Sequence, residues 1–497
     1  MLLGAAAAGH AATLANSAYT AAELAYQYED SHAHLVLAHP PLVPTVREMM
    51  RSLSIPEDEI ARRIIVADST WLTGAPAELD AGDAAALKGL TRLSELVGRG
   101  ELAQEIQMPG LLSDSTVYLC YSSGTTGKPK GVESTHHNII SELEILKPTL
   151  PPAKVGPALN KQGKAVAPYR DAYFGVLPSY HIYGAIWLLH FPLTMGAPSI
   201  ILHGRFEPEK FCAAVQLYKA TIGIIVPPIL VVFAKHPAVD KYDMSSLETL
   251  ISGAAPLGGE LVSSVKERLG KRGADVCITQ QYGLTETSPS VFLLPQEHAV
   301  ERVGSVGYLL PNLEARLVSE EDGEKLTSIE GAGEIWVRGP IVMKGYLNNP
   351  TATAKSVTPD GWFKTGDIAV RSKEGFYNIV DRRKELIKYK GFQVAPADLE
   401  NVLLQHPQIA DAAVIGVESK EQATELPRAY VVKTSPELTS AAVQEFVASR
   451  VANHKKLRGG VIFIDAIPKS AAGKILRQQL RKRAESEPVE LPVRAKL

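Results

Sequence analysis

The chain has 497 residues, more than one hydrophobic core usually organises, which excludes a single small binding module and predicts a large multi-part domain with at least one smaller one. With 52 basic and 54 acidic side chains the formal net charge is -2, so nothing global attracts nucleic acid or an anionic membrane, and any anion must be held locally. Hydrophobic residues at 45% and charged residues at 21% exclude a disordered chain and permit a sizeable core.

The opening MLLGAAAAGHAATLA has no basic leader and is broken by His10, so it reads as a buried Ala-rich helix and not as a signal peptide. To about residue 118, helical patterns such as TAAELAYQYEDSHA alternate with the apolar runs AHLVLA and RRIIVAD, the rhythm of a largely parallel α/β sheet. After residue 130 the runs DAYFGVLP, PSIILHG and TIGIIVPP predict buried strands between helical segments. Residues 147 to 171, rich in Pro, Gly and Lys, read as a long surface loop outside the chemistry. Between 300 and 380 the pieces EARLVS, GEIWVRG and FYNIVD predict a more β-rich subdomain. A basic run, DRRKELIKYKG, then leads into mixed elements that form a compact second domain of about 110 residues, with the linker at Val380 to Arg383. The expected division is therefore 1–380 and 381–497.

Cys120, Cys212 and Cys277 are far apart, odd in number and without metal spacing, so they read as reduced thiols in an intracellular compartment. No uncharged run approaches the roughly 18 apolar residues of a membrane span. The final Ala495-Lys496-Leu497 is close to the Ser-Lys-Leu peroxisomal address, and the charged, Pro-bearing stretch before it suits a tail read by an import receptor; the alternative is a cytoplasmic protein.

The segment YLCYSSGTTGKPKGV, residues 118 to 132, runs from an apolar strand into Ser, Gly, Thr and Lys, the composition of a loop whose backbone N–H groups approach phosphate oxygens. Its candidates are Ser122, Ser123, Gly124, Thr125, Thr126, Lys128 and Lys130. It does not match G-x-x-x-x-G-K-[ST], since Pro129 follows Lys128, which disfavours a P-loop kinase or GTPase. In QYGLTETSP, Glu286 lies among hydroxyls in a Gly-containing turn, suited to Mg²⁺ shared with nucleotide phosphates or, more plainly, to helix capping. Gly253, Ala254 and Ala255 in GAAPLG are small enough for a flat ring to lie on the backbone. Asp367 in KTGD can accept two bonds from a ribose diol, or close an Asx-turn.

Taken with ISGAAPLG, QQYGLTETSP, GWFKTGDIAV, VDRRKELIKYKGFQVAPADLE and PKSAAGKILR, which follow in order, the phosphate-loop segment resembles the adenylate-forming enzymes, in their acyl- and aryl-CoA ligase branch with the 4-coumarate:CoA ligases and beetle luciferases. The resemblance implies a large α/β domain of several subdomains, with mainly parallel sheets and a β-rich part, plus a smaller mobile α+β C-terminal domain. It implies ATP, Mg²⁺ and coenzyme A as cofactors and a small carboxylic acid as partner. By the same resemblance Glu286 serves the metal and Thr285 the α-phosphate; Gln281, Tyr282 and Gly283 join Gly253, Ala254 and Ala255 around the nucleotide and acyl group. Asp367 and Arg382 hold the ribose or phosphate, and Lys474 reaches across for adenylation. After rotation at Lys384, Lys388 and Gln393 come near the reacting groups, with Lys390 and Gly391 along the pantetheine tunnel.

His181 is expected to gate or position the acid and not to act as a base, because the attacking carboxylate is already ionised at neutral pH. Trp187 and Gln281 stand where plant hydroxycinnamate ligases tend to have smaller residues, which counts against coumarate; the acid is expected to be an aryl or arylalkyl carboxylate, or else a medium-chain fatty acid. Relatives also carry a further stretch before the part that Met1 to Val36 resembles; without it an apolar sheet edge is expected, with lower stability or a covering partner. The alternatives left open are an adenylate-forming enzyme that does not use free CoA and a degenerate member that only binds nucleotide.

Overall fold

The computed structural model describes residues 2–487 apart from 69–86, 99, 101, 103, 105, 123–128, 153, 155–156, 160–164, 170, 203–205, 320–324, 383–384, 391, 420–423 and 471–472. The C-terminal tripeptide therefore lies outside the described residues. The chain divides into two compact units, the first made of Met1–Ile140, Tyr180–Ile182 and Met343–Lys355, the second of Ser141–Ser179, Tyr183–Val342 and Ser356–Leu497.

In the first unit the helix Ala21–Asp30 starts at a reciprocal cap: Glu23 N–H donates to Thr20 Oγ1 and Thr20 N–H to Glu23 Oε2. The strands Val36–Ala38, Ile64–Val66 and Thr91–Arg92 pair in parallel, as the strand–helix rhythm predicts, over a core that includes Val46, Met49, Met50 and Ile60. A second sheet places Ala12–Leu14 parallel to Thr116–Ser122, which pairs antiparallel with Lys130–Thr135 and through it with Gly345–Tyr346. The Ala-rich start departs from expectation. Its helix spans only Leu2–Ala7 and buries none of its residues, since alanines offer little surface to anchor six residues; the segment goes on as the strand Ala12–Leu14.

The second unit is built on a seven-stranded sheet in the order Ser199–Ile201, Tyr173–Gly175, Ile222–Ile225, Thr249–Ser252, Cys277–Gly283, Ser290–Leu293, Tyr308–Leu309. The first five are parallel and the last two antiparallel, so the runs DAYFGVLP, PSIILHG and TIGIIVPP all become strands of one sheet. The predicted β-rich region is a four-stranded antiparallel sheet, Glu314–Val318, Ala332–Arg338, Phe363–Arg371 and Tyr377–Arg382. Residues 147–171 are not all loop: Pro157–Leu159 and Ala165–Tyr169 pair antiparallel. Prolines at strand positions hid this hairpin, because an edge strand tolerates them where a central one does not.

From Ile387 onward the chain has its own core, in which Val394, Leu399, Leu403, Val414, Tyr430, Val443 and Leu480 are buried. It is formed by the hairpin Ile387–Tyr389 and Phe392–Val394, the helix Pro396–Leu404, the sheet Ile409–Ser419, Thr424–Lys433 and Val461–Phe463, and the helices Ser440–Ala448 and Arg477–Ala484. The three cysteines are unbridged, and burial pushes the Cys120 thiol up to about 12, which keeps it an unreactive core group. No helix among the described residues is long and apolar enough to cross a membrane.

Candidate active site

The proposed phosphate loop joins two antiparallel strands. Ser122 lies opposite Lys130 in the backbone register, while Ser123, Gly124, Thr125, Thr126 and Lys128 lie outside the described residues. The element after the loop is a strand and not a helix, which separates this architecture from a Walker loop. Tyr26 Oη donates to the Pro129 carbonyl at 2.9 Å, and Lys130 Nζ sits 4.0 Å above the centre of the Tyr346 ring, a cation–π contact that orients the lysine.

Gly253 and the Gln281–Gly283 motif lie at the carboxyl ends of neighbouring parallel strands, the edge where open α/β sheets bind ligands. Thr249–Ser252 ends at Gly253, which is buried; a Cβ there would stand 3.2 Å from Gln281 Cγ and 3.2 Å from the Tyr183 ring. A side chain at this position would force Gln281 or Tyr183 to give way by a few tenths of an ångström. Ala254 follows with φ 68°, a left-handed conformation uncommon for alanine and of the kind that clusters at functional turns. Ala255 is half-buried beside it.

His181 is half-buried and leads into Ile182–Gly184 and a π-helical turn, Ala185–His190. Behind Gly253 lies a polar network that the sequence did not reveal. Tyr183 Oη bridges the Ile225 and Ile251 carbonyls at 3.3 and 3.1 Å, and burial pushes its phenol up. Trp187 Nε1 donates to Ser290 Oγ at 3.1 Å, and Ser290 Oγ donates to Gln281 Oε1 at 3.0 Å. Ser290 N–H donates to Glu142 Oε1 at 2.9 Å, whereas Glu142 Oε2 has no hydrogen-bond partner among the described residues.

Burial pushes the Glu142 carboxyl well above its usual 4.5, its bonds from Ser290 acting in the opposite direction. A carboxyl raised in the folded state stabilises fully below its unfolded pKa and loses that stability as pH climbs through the folded one. The chain is therefore expected to lose stability from about pH 5 upward through this group, and Glu142→Gln, neutral at every pH, should flatten that part of the Tm-versus-pH curve. Superimposable curves for the two proteins would contradict this reading.

Cys277–Gly283 carries the next motif. A Cβ on Gly283 would collide with the Pro289 carbonyl oxygen, so the turn needs glycine. Thr287 Oγ1 accepts from Leu284 N–H at 3.0 Å, taking the capping task and setting Thr285 and the buried Glu286 on the same turn. Tyr282 Oη donates to Asp367 Oδ2 at 2.7 Å, joining two motifs 85 residues apart. Asp367 is 4% exposed, its N–H donates to Thr365 Oγ1, and its backbone pairs with Arg382, whose side chain lies outside the described residues.

Further along the chain, Lys388 and Lys390 are exposed on a hairpin, their N–H groups held at 2.7 Å by Glu425 Oε2 and Thr424 Oγ1. Lys388 pairs in backbone register with Gln393; the Gln393 side chain, Lys384 and Gly391 lie outside the described residues. Lys474 rides a tight turn in which Ser470 N–H donates to its carbonyl and its own N–H donates to Ser470 Oγ. Gly473, at φ 76°, lies against Val226 and Pro228: a Cβ there would stand 3.3 and 3.4 Å from their side chains. Those two residues follow the strand Ile222–Ile225, so the lysine turn is seated at the same strand ends as Gly253.

The AMP-binding enzyme family model matches residues 1–347, and that of the AMP-binding enzyme C-terminal domain matches 398–474. A probable 4-coumarate–CoA ligase 1 of Dictyostelium discoideum is 45% identical over 74% of this chain, which spans 63% of that relative's length. The 4-coumarate:CoA ligase 1 of Petunia hybrida is 37% identical over 97% of this chain and 81% of its own length. Among solved structures, the Bacillus subtilis O-succinylbenzoate coenzyme A synthetase in complex with ATP and magnesium ion is 27% identical with TM-score 0.71, over 96% of this chain and 86% of its own. With family models matching residues 1–347 and 398–474, the chain belongs to the AMP-binding enzyme family.

Proposed function

We propose that this chain is an AMP-forming acid:CoA ligase. A carboxylate oxygen of the substrate attacks the α-phosphorus of ATP and pyrophosphate leaves; the CoA thiol then attacks the acyl carbon, loses its proton, and AMP leaves. The observation that carries this reading is the seating of the Lys474 turn against Val226 and Pro228, at the strand ends that also hold Gly253 and the Tyr282–Asp367 pair. A cation at that edge answers the charge that builds on the phosphoryl oxygens, so catalysis rests on positioning and electrostatics.

In this reading Asp367 accepts from the ribose, Tyr282 and Gly253–Ala255 receive the adenine, and Thr285 contacts the α-phosphate. Among the described residues no group of three or more His, Cys, Asp or Glu is placed to hold a metal, and a single buried carboxylate, Glu286, suits Mg²⁺ that arrives with the nucleotide phosphates. Held by Glu286, such an ion would supply positive charge toward the leaving pyrophosphate. Lys388 and Gln393 are assigned to the thioester step, with Lys390 along the path of the pantetheine arm. For the acid, the buried Trp187 and Gln281 count against a hydroxycinnamate and favour another aryl or arylalkyl acid, with a medium-chain fatty acid as the alternative.

Pyrophosphate release with ATP and Mg²⁺ across aryl, arylalkyl and fatty acids, each with and without CoA, tests this reading. Release that depends on one class of acid, with CoA consumed, is expected. Release indifferent to the acid would overturn it.

A further inference from the structure

Arg477 stands three residues beyond Lys474, in a stretch, RQQLRKRA, whose composition is that of a solvated basic helix. Its side chain is instead only 10% exposed and fully engaged. Nη2 donates to both oxygens of Glu400 at 2.7 and 2.8 Å, Nη1 to Glu385 Oε2 at 2.8 Å, and Nε to the Val414 carbonyl at 3.2 Å. Glu385 and Glu400 are 10% and 11% exposed, so one guanidinium serves two carboxylates in a desolvated setting. Burial pushes the Glu400 carboxyl up, and Arg477 pulls it back down.

The partners come from three separate places. Glu385 opens the segment that reaches Lys388 three residues later, Glu400 lies on the helix Pro396–Leu404, and Val414 is in the strand Ile409–Ser419. On the other side of the lysine turn, Lys469 Nζ grips both carboxylate oxygens of Asp411 at 2.8 and 2.6 Å, on that same strand. The backbone between these anchors closes on itself, with Leu476 N–H donating to the Pro468 carbonyl and Lys469 bridging Ile475. The Lys474 turn is thus pinned at both ends to one strand, and through Arg477 to the root of the Lys388 hairpin.

We propose that Arg477 is a positioning residue for both half-reactions, holding the Lys474 turn and the Lys388 hairpin in one rigid frame through Glu400 and Glu385. The inference rests on the reading above that these two lysines serve adenylation and thioester formation. A guanidinium is required, because an ammonium cannot meet both carboxylates and the Val414 carbonyl in the fixed planar fork that this geometry uses.

The test is single-turnover kinetics of Arg477→Lys and Arg477→Met, with Lys474→Ala alongside, each measured for adenylate formation and, from preformed adenylate, for thioester formation. A misplacement near 1 Å costs about 100-fold in rate, so both Arg477 variants are expected to slow both half-reactions by about 10- to 100-fold while the amplitude of adenylate per enzyme stays at the wild-type value. Lys474→Ala is expected to slow only the first. A fall in amplitude with unchanged rate in Arg477→Lys would mean that Arg477 only holds the fold together, and would overturn the proposal, as would wild-type rates in either half-reaction. If Arg477→Met does not fold, Arg477→Lys decides the matter alone. Should Lys474→Ala form adenylate at the wild-type rate, the assignment of the lysine fails and the inference with it; should Lys474→Ala fail in adenylation while Arg477→Lys does not, only the inference fails.

Discussion

Lys474→Ala is expected to slow adenylate formation by roughly 10²- to 10³-fold, about 3–4 kcal/mol of transition-state stabilisation, and to leave thioester formation from preformed adenylate near its wild-type rate. The charge that builds on the α-phosphoryl oxygens exists only in the first step, so loss of a cation brought to it lowers kcat with little effect on ground-state binding of ATP. The turn that carries the lysine is held by its own backbone and by Lys469–Asp411, so removal of the lysine side chain should leave the fold intact. Stopped-flow measurement of each half-reaction, with the melting temperature as a control, checks both statements. Equal loss in the two steps would mean that the lysine supports the structure and not the first transition state.

Trp187→Ala should have the largest effect on stability and a second, separate effect on substrate choice. Trp187 is fully buried, packs edge-on to Tyr183 and tilted against Phe191, and donates to Ser290. Truncating a buried tryptophan costs about 3–5 kcal/mol, the sum of lost burial and the cavity left behind. If the indole also bounds the acid, that cavity becomes usable volume, and kcat/KM should shift toward bulkier acids even as the denaturant midpoint falls. An acid profile unchanged in shape, measured on the same panel, would place Trp187 in the core and away from the substrate.

Much of this was legible in the sequence because it depends on local pattern. Apolar runs such as TIGIIVPP can satisfy themselves only as buried strands, and small residues in GAAPLG, TETS and KTGD mark turns whatever surrounds them. The hairpin at Pro157–Leu159 and Ala165–Tyr169 was missed because proline and glycine dominate local preference where a single neighbouring strand decides the outcome. The other omissions are polar groups in unexpected burial. Glu142 in HHNIISELEIL and Arg477 in RQQLRKRA look like ordinary solvated charges, and only long-range packing puts one under Ser290 and the other between two carboxylates. Tyr282 and Asp367 were each singled out from their motifs, but their hydrogen bond joins strands of two different sheets, a relation that spacing does not encode.

The most direct test is mass spectrometry of the products with the preferred acid, ATP and Mg²⁺, first without CoA and then after CoA is added. The account predicts enzyme-bound acyl-adenylate and pyrophosphate in the first stage, then acyl-CoA and AMP in equal amounts in the second. Formation of ADP and phosphate, or an acyl-adenylate that CoA does not consume, would contradict it.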